Sequence, residues 1–147
     1  MKKIYDYDSN SLLYTRKSGH TFNLKFCNGI TIIDGMSASG KTLLFNDIKS
    51  LKNLNSKIAE YDVSNIDLIE NSDVCIKDDK VLYIVDKAEH ILTDKLCSDI
   101  VSCKYSRFLI FTRVAHNLHV SPNHFGEFNT IEGVTSIKYL FYEKGWF

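Results

Sequence analysis

The sequence predicts an α/β fold, with a mainly parallel central sheet flanked by helices and an N-terminal antiparallel β-meander. Between residues 30 and 111, apolar runs of strand length alternate with segments whose apolar residues recur at helical spacing. Two of these runs, Val81–Val85 and Phe108–Phe111, are apolar throughout, which is typical of strands buried on both faces. The first thirty residues instead carry short apolar runs separated by turn residues, as a meander would.

The meander is expected to contain three strands, at Ile4–Tyr7, Leu12–Thr15 and Thr21–Phe26. A fourth strand, Ile30–Ile33, follows the dipeptide Asn28-Gly29. Asn-Gly between two apolar runs is a strong hairpin signal. We therefore expect Ile30–Ile33 to pair antiparallel with the third strand, over residues 22–26.

Two helices are predicted, each from a different sequence signal. After residue 42, Leu44, Ile48 and Leu51 recur at helical spacing. Thr93-Asp94 can cap a second helix, in which Leu96, Ile100 and Cys103 share one face.

The remaining elements are predicted from shorter patterns. Lys57–Tyr61 is a possible strand, and Ser64–Asp67 resembles a capping box that would start a short helix. A polar loop rich in His and Asn, containing Pro122, follows Phe111. Ile137–Tyr142 is expected to be the last strand.

Size and composition indicate one globular domain over residues 1–147, with 44% hydrophobic residues. Eighteen basic and eighteen acidic side chains balance, so no overall field favours nucleic acid or an anionic membrane, although a local basic patch stays open. No apolar run approaches the ~20 residues that span a bilayer, and no signal peptide is visible. The four cysteines lack metal or disulfide spacing, which predicts reduced, mostly buried thiols in a cytoplasmic protein.

The most specific motif runs from Gly35 to Thr42 and fits the pattern G-x-x-x-x-G-K-[ST]. In such a loop the backbone N–H groups surround nucleotide phosphates, the Lys41 ammonium reaches the outer phosphates, and the Thr42 hydroxyl can bind Mg²⁺. The predicted nucleotide contacts are Gly35, Met36, Ser37, Ala38, Ser39, Gly40, Lys41, Thr42 and Leu43. Asp86, at the end of a buried strand, is predicted to share the Mg²⁺ with Thr42.

The chain resembles P-loop NTPases of the AAA and ABC-like division, and more narrowly small, uncharacterised single-domain bacterial ATP-binding proteins. The likeness rests on the strand-loop-helix over 30–51, on Tyr83–His90, which is similar to their Walker B segment, and on Phe108–Arg113, which is similar to their sensor 1 strand, with Thr112 or Arg113 as its polar residue. It implies a P-loop NTPase fold with ATP and Mg²⁺ as cofactors.

One departure from that pattern concerns catalysis. Lys87 stands where hydrolytic members of the family carry the glutamate that activates water. Glu89 and Arg113 are the remaining candidates for a catalytic carboxylate and an arginine finger. The resemblance therefore implies nucleotide binding with weak hydrolysis or none.

The expected function is a regulatory or assembly switch that binds ATP with Mg²⁺ and has a protein partner or self-associates through the aromatic end Gly145–Phe147. A nucleotide or small-molecule kinase is an alternative, since Ile33–Thr42 is similar to the loop of cytidylate kinase. Against it, the chain has only three arginines. An ATPase subunit of a nucleic-acid-associated complex, using Lys49, Lys52 and Lys57, is a further alternative. A zinc site is a minor hypothesis for His116, His119 and His124.

Overall fold

A computed structural model describes residues 2–27, 29–35, 40–54, 60–113, 120 and 124–140 of the chain. Its elements in chain order are β1 (Lys2–Lys3), β2 (Tyr5–Asp6), β3 (Ser11–Thr15), β4 (Thr21–Lys25), β5 (Ile30–Ile33), α1 (Lys41–Asn53), β6 (Tyr61–Asp62), β7 (Ile66–Ile69), β8 (Leu82–Val85), α2 (Ala88–Ile91), α3 (Asp94–Ser102), β9 (Arg107–Phe111), β10 (His124–Ile131) and β11 (Val134–Tyr139).

Nine of the strands form one mixed sheet, in the order β2-β3-β4-β11-β10-β5-β9-β8-β7. The pairs β2–β3, β3–β4 and β10–β11 are antiparallel, and the other five pairs are parallel. The two edges of this sheet approach each other. β1, which leads into one edge strand, pairs with β6, which leads into the other. The amide of Asn65 also donates to the Tyr5 carbonyl across 2.7 Å, so the sheet nearly closes on itself.

This architecture contradicts the expected α/β fold class. Within the described residues, strands outweigh the three helices, of which only α1 is longer than nine residues. The sheet is mixed, and the N-terminal strands belong to it. The prediction of a P-loop NTPase fold, with a mainly parallel sheet between helices, is therefore wrong. The β10–β11 hairpin accounts for much of the error, because it joins β5 to β4, whereas the sequence predicted a loop around Pro122 and only a last strand at Ile137–Tyr142.

That hairpin was missed because its turn lacks the usual Asn-Gly or Asp-Gly pair. Glu132 and Gly133 both adopt positive φ, at 50° and 79°, between Ile131 and Val134. The expected antiparallel pairing of Ile30–Ile33 with residues 22–26 is also wrong. β5 instead pairs in parallel with β9 and β10, since β11 occupies the edge of β4.

Two short predictions also need correction. The expected helix at Ser64–Asp67 is strand β7, and the Asp62 carboxylate accepts from the Ser64 N–H at 2.9 Å in the preceding turn. The expected last strand begins three residues earlier, at Val134. Most of the possible strand Lys57–Tyr61 lies outside the described residues.

Other elements are where the patterns placed them. The strands predicted around 12–15, 21–26, 30–33, 81–85 and 108–111 are present. The helix after residue 42 is present, and the Thr93 side chain caps α3 by accepting from the Leu96 N–H at 3.2 Å. None of the helices in the described ranges has the length and apolarity needed to cross a membrane.

The core lies on both faces of the sheet because the strand side chains alternate. On one face Ile33, Ile84 and Phe111 pack in a cluster with Leu44 and Ile48 of α1. On the other face the neighbouring positions Ile32, Val85 and Ile110 pack with Ala88 of α2 and Ile100 of α3. The alternation fixes the register of β5, β8 and β9, so the residues that follow these strands are held in defined positions.

None of the four cysteines forms a disulfide, and the expectation that they are mostly buried is wrong. Cys97 is buried and Cys103 is half-buried, whereas Cys27 and Cys75 are exposed.

Candidate functional site

A cleft of about 340 Å³ opens where β5, β8 and β9 end. These three strands are neighbours and run parallel, so their carboxyl ends meet at one edge of the sheet. We call this site the Lys41 cleft. It is lined by Lys41, Thr42, Asp86, Lys87, Glu89, His90, Phe111, Thr112 and Arg113.

The segment between β5 and α1 needs glycine at both ends. Gly35 has φ +123° and Gly40 has φ +98°, conformations that residues with a Cβ rarely adopt. The Asp34 carboxylate accepts from the Gly35 N–H at 2.6 Å and so fixes the start of the segment. Met36, Ser37, Ala38 and Ser39, which were predicted to contact a nucleotide, lie outside the described residues.

Lys41 is the most unusual side chain of the cleft because it is charged and only 4% exposed. Its ammonium donates to the Gly35 carbonyl at 2.5 Å and to the Thr112 carbonyl at 3.0 Å. Burial lowers the pKa of Lys41, while the carboxylates of Asp34, Glu89 and Asp86 act in the opposite direction. Among the described residues, none of these carboxylates forms an ion pair with the ammonium.

Helix α1 begins at Lys41 and adds a second source of positive potential. Its first turn contains no acidic residue, and no side chain caps its N-terminus. The free N–H groups of a first turn and the helix dipole both favour a nearby anion. Thr42, the second residue of this turn, lines the cleft beside Lys41.

Opposite α1, the chain turns sharply after β8. Lys87 adopts a left-handed conformation (φ 52°, ψ 48°) and donates its N–H to the Asp86 carboxylate at 3.0 Å. A left-handed lysine is uncommon and costs conformational energy. The turn places Asp86, Lys87 and Glu89 on the same cleft.

Glu89 connects the two strand ends. Its Oε2 accepts from the Arg113 N–H at 3.3 Å, across the gap between α2 and the end of β9. Its Oε1 is buried and has no hydrogen-bond partner among the described residues. A buried carboxylate oxygen without a donor is costly, so an atom supplied by a ligand or by solvent would stabilise it.

The structure thus brings together seven of the residues that the sequence singled out: Lys41, Thr42, Asp86, Lys87, Glu89, Thr112 and Arg113. Gly35 and Gly40 flank the cleft, whereas Leu43 does not line it and is 37% exposed. His90 also lines the cleft, although the sequence did not single it out as a site residue. The available signal was its place in the segment Tyr83–His90, which includes the end of the buried strand β8 and Asp86.

The residues predicted to bind magnesium and zinc are not confirmed as metal ligands. Thr42 and Asp86 both line the cleft, but no group of three or more His, Cys, Asp or Glu side chains in the described ranges is placed to hold a metal ion. The described part of the chain therefore offers no evidence of a metal site. For the zinc hypothesis, His116, His119 and the His124 side chain lie outside what the structure describes.

No protein-family model, curated protein or solved structure matches this chain. The resemblance to P-loop NTPases therefore finds no support in these comparisons, and the mixed, nearly closed sheet contradicts the fold that it implied. Nor do the comparisons give evidence of ATP binding.

Proposed function

We propose that the Lys41 cleft binds a phosphorylated small molecule, with Lys41 and Arg113 contacting its phosphate oxygens. The observation that carries this proposal is the buried Lys41 ammonium, which in the described residues meets only carbonyl oxygens and no paired carboxylate. The carboxylates of Asp34, Glu89 and Asp86 act on this ammonium but form no ion pair with it, so a phosphate at the start of α1 would compensate the buried charge more directly.

The carboxylates of the cleft narrow the class of ligand. Asp86 and Glu89 line the same space as Lys41, Lys87 and Arg113. Phosphate alone would be repelled by the two carboxylates, whereas phosphate that arrives with a divalent cation would satisfy both signs of charge. If Mg²⁺ is bound, Thr42 and Asp86 are the residues to hold it, and a magnesium nucleoside triphosphate such as ATP is the first ligand to test.

The residues of the cleft favour binding of the phosphorylated ligand without rapid hydrolysis. Lys87 is exposed and follows Asp86, where a base for activating water would be useful, and a protonated lysine cannot accept a proton. The protein would then act as a ligand-dependent switch. A cytoplasmic location and a protein partner belong to the same proposal; an ATPase subunit acting on nucleic acid stays an untested alternative.

A second candidate is phosphoryl transfer to an acceptor hydroxyl, as in a small-molecule kinase. It is favoured by the unpartnered Oε1 of Glu89, which could accept the proton of that hydroxyl. The bond between the acceptor oxygen and phosphorus would form as the bridging P–O bond of the donor breaks.

The test is ligand-dependent thermal stabilisation of the purified protein. Magnesium ATP and magnesium tripolyphosphate should both raise the melting temperature, and the variant Lys41→Met should lose the effect while remaining folded. Lys49→Met is the matched control, because Lys49 lies on the same helix in an exposed ion pair with Glu70. Equal stabilisation of the wild type and Lys41→Met would overturn the assignment of the site.

A further inference from the structure

A second cavity, of about 520 Å³, lies at the opposite end of the sheet from the Lys41 cleft. Arg107 begins β9, whereas Thr112 and Arg113 follow the end of that strand. We call this space the Arg107 cavity. It is lined by Tyr7, Asn10, Cys27, Gly29, Ile30, Ile100, Val101, Cys103, Lys104, Ser106, Arg107 and Phe108.

The Arg107 guanidinium is held rigidly on one side. Its Nη1 donates to the Tyr7 carbonyl at 2.5 Å and to the Tyr5 hydroxyl at 3.2 Å. The guanidinium carbon lies 3.8 Å from the centroid of the Tyr7 ring, a stacked cation–π contact. These contacts fix the plane of the guanidinium while leaving Nε and Nη2 without an acceptor among the described residues.

The charge of the cavity is unbalanced. Arg107 and Lys104 line it, and no Asp or Glu of the described part of the chain does. Within the described ranges Arg107 has no ion-pair partner. The neighbouring Asp78 carboxylate accepts from the N–H groups of Lys104, Tyr105 and Ser106, at 2.7 to 3.0 Å.

Apolar residues lie on one side of the cavity. Ile30 and Phe108 belong to the core cluster beneath the cavity, and Ile100 and Val101 come from α3. Val101 is 49% exposed at the rim. Ile30, Ile100 and Phe108 are almost fully buried, so the apolar surface that a ligand can reach is mainly that of Val101. A fixed guanidinium with an exposed apolar side chain at the same rim suits a ligand with a carboxylate at one end and a small apolar body.

We propose that the Arg107 cavity is a binding site for a small amphipathic carboxylate, whose carboxylate pairs with Arg107 while its apolar body lies against Val101 at the rim. The site is independent of the function proposed for the Lys41 cleft, since it shares no lining residue with that cleft.

The exposed thiol of Cys27 gives a direct readout, because it lines the cavity. The full chain is treated with iodoacetamide in the presence of about 10 mM sodium octanoate, a concentration suited to a weak fragment-sized ligand. Alkylation of Cys27 and Cys75 is followed by peptide mass spectrometry. Cys75 is the internal control, since it is exposed but does not line the cavity.

We expect octanoate to slow alkylation of Cys27 several-fold and to leave that of Cys75 unchanged. Arg107→Gln should weaken the protection about tenfold, the scale of a lost charge-assisted bidentate contact. Arg113→Gln, at the other end of the same strand, should preserve it. No protection by octanoate, or equal protection by inorganic phosphate alone, would overturn the proposal.

Arg107→Gln also removes the contacts to Tyr5 and Tyr7, so a second pair of variants keeps the test independent of folding. Val101→Glu and Val101→Lys change the charge at an exposed rim position. The glutamate should weaken the protection of Cys27 by octanoate, and the lysine should preserve or strengthen it. Identical protection in these two variants would contradict an anionic ligand.

Discussion

The two ends of strand β9 carry cationic side chains in very different surroundings. At the carboxyl end Arg113 shares the Lys41 cleft with Lys41, Lys87 and the carboxylates of Asp86 and Glu89. At the amino end Arg107 lies in a cavity that, among the described residues, has no acidic side chain on its wall and has the exposed Val101 at its rim. Mixed charge suits a phosphate accompanied by a divalent cation, whereas unbalanced positive charge suits a lone carboxylate.

The difference follows from how each end is built. The Lys41 cleft is formed by residues that follow three parallel strands, so its polar groups converge from separate elements. The Arg107 cavity is formed by the starts of β5 and β9, the end of α3 and the turn after β2. The two sites share no lining residue, so each can be changed by mutation without altering the lining of the other.

The largest expected effect on stability comes from Gly126, which pairs with Ile33 at the Lys41 end of β5. A Cβ there would lie 2.7 Å from the Ile137 Cγ2 and 3.2 Å from the Lys138 carbonyl, and the Gly126 carbonyl accepts from the Asp34 N–H at 2.9 Å. Gly126→Ala should lower the free energy of unfolding by about 1–3 kcal/mol. Urea denaturation measures it, with Glu127→Ala as the control.

The same variant tests how far the two ends are independent. Gly126→Ala should weaken the stabilisation by magnesium ATP more than it weakens the protection of Cys27 by octanoate. Equal losses at both sites would mean that the ends of the sheet are coupled through β10, contrary to this account.

A smaller effect on the free energy of unfolding, dependent on pH, concerns Tyr14, which is hydrogen-bonded to Asp47 of α1. The Tyr14 hydroxyl donates to the Asp47 carboxylate at 3.1 Å, and burial raises the pKa of Tyr14 to about 12. The unfolded chain ionises near 10, so Tyr14 contributes stability below pH 10 that is lost as the pH rises from about 10 to about 12. The slope of this loss is about 1.4 kcal/mol per pH unit at most.

The variant Tyr14→Phe should therefore be less stable than the wild type at pH 8, by about 1 kcal/mol for the lost hydrogen bond. This difference should shrink or reverse above pH 10, because phenylalanine cannot ionise. Urea midpoints measured from pH 8 to 11 test the prediction. A difference that is constant across this range would show that Tyr14 has its ordinary pKa.

The last effect on stability, no larger than that of Tyr14→Phe, should fall on the Arg107 end. Thr93 caps α3, the helix that supplies Ile100 and Val101 to the cavity wall. Thr93→Ala should cost about 1 kcal/mol and reduce the protection of Cys27 by octanoate, whereas Thr93→Ser should retain the cap. Stabilisation by magnesium ATP should be unchanged in both variants, and a loss of it would contradict the separation of the sites.

The local elements were more predictable from sequence than their assembly. Uninterrupted apolar runs marked β8 and β9, because a strand buried on both faces leaves no polar position. The pairing of β5 could not be predicted in the same way. It depends on the β10–β11 hairpin, whose Glu132-Gly133 turn carries a weak signal and whose strands contain exposed and polar side chains.

The two sites also differed in how readily they could be predicted from the sequence. Lys41 and Thr42 stand out in a glycine-bounded motif, and Asp86 ends an apolar run, so proximity in the cleft could be predicted from parallel strand ends. The Arg107 cavity gave no such signal. It unites residues between 7 and 108 whose contact depends on the sheet closing toward β2, and no spacing in the chain encodes that closure.

The most direct test of the account is calorimetric titration of magnesium ATP into the wild type, Lys41→Met and Arg107→Gln. We predict measurable binding to the wild type, at least about tenfold weaker binding to Lys41→Met, and unchanged affinity in Arg107→Gln. No binding to the wild type, or equal affinity in the wild type and Lys41→Met, would contradict the proposed role of the Lys41 cleft.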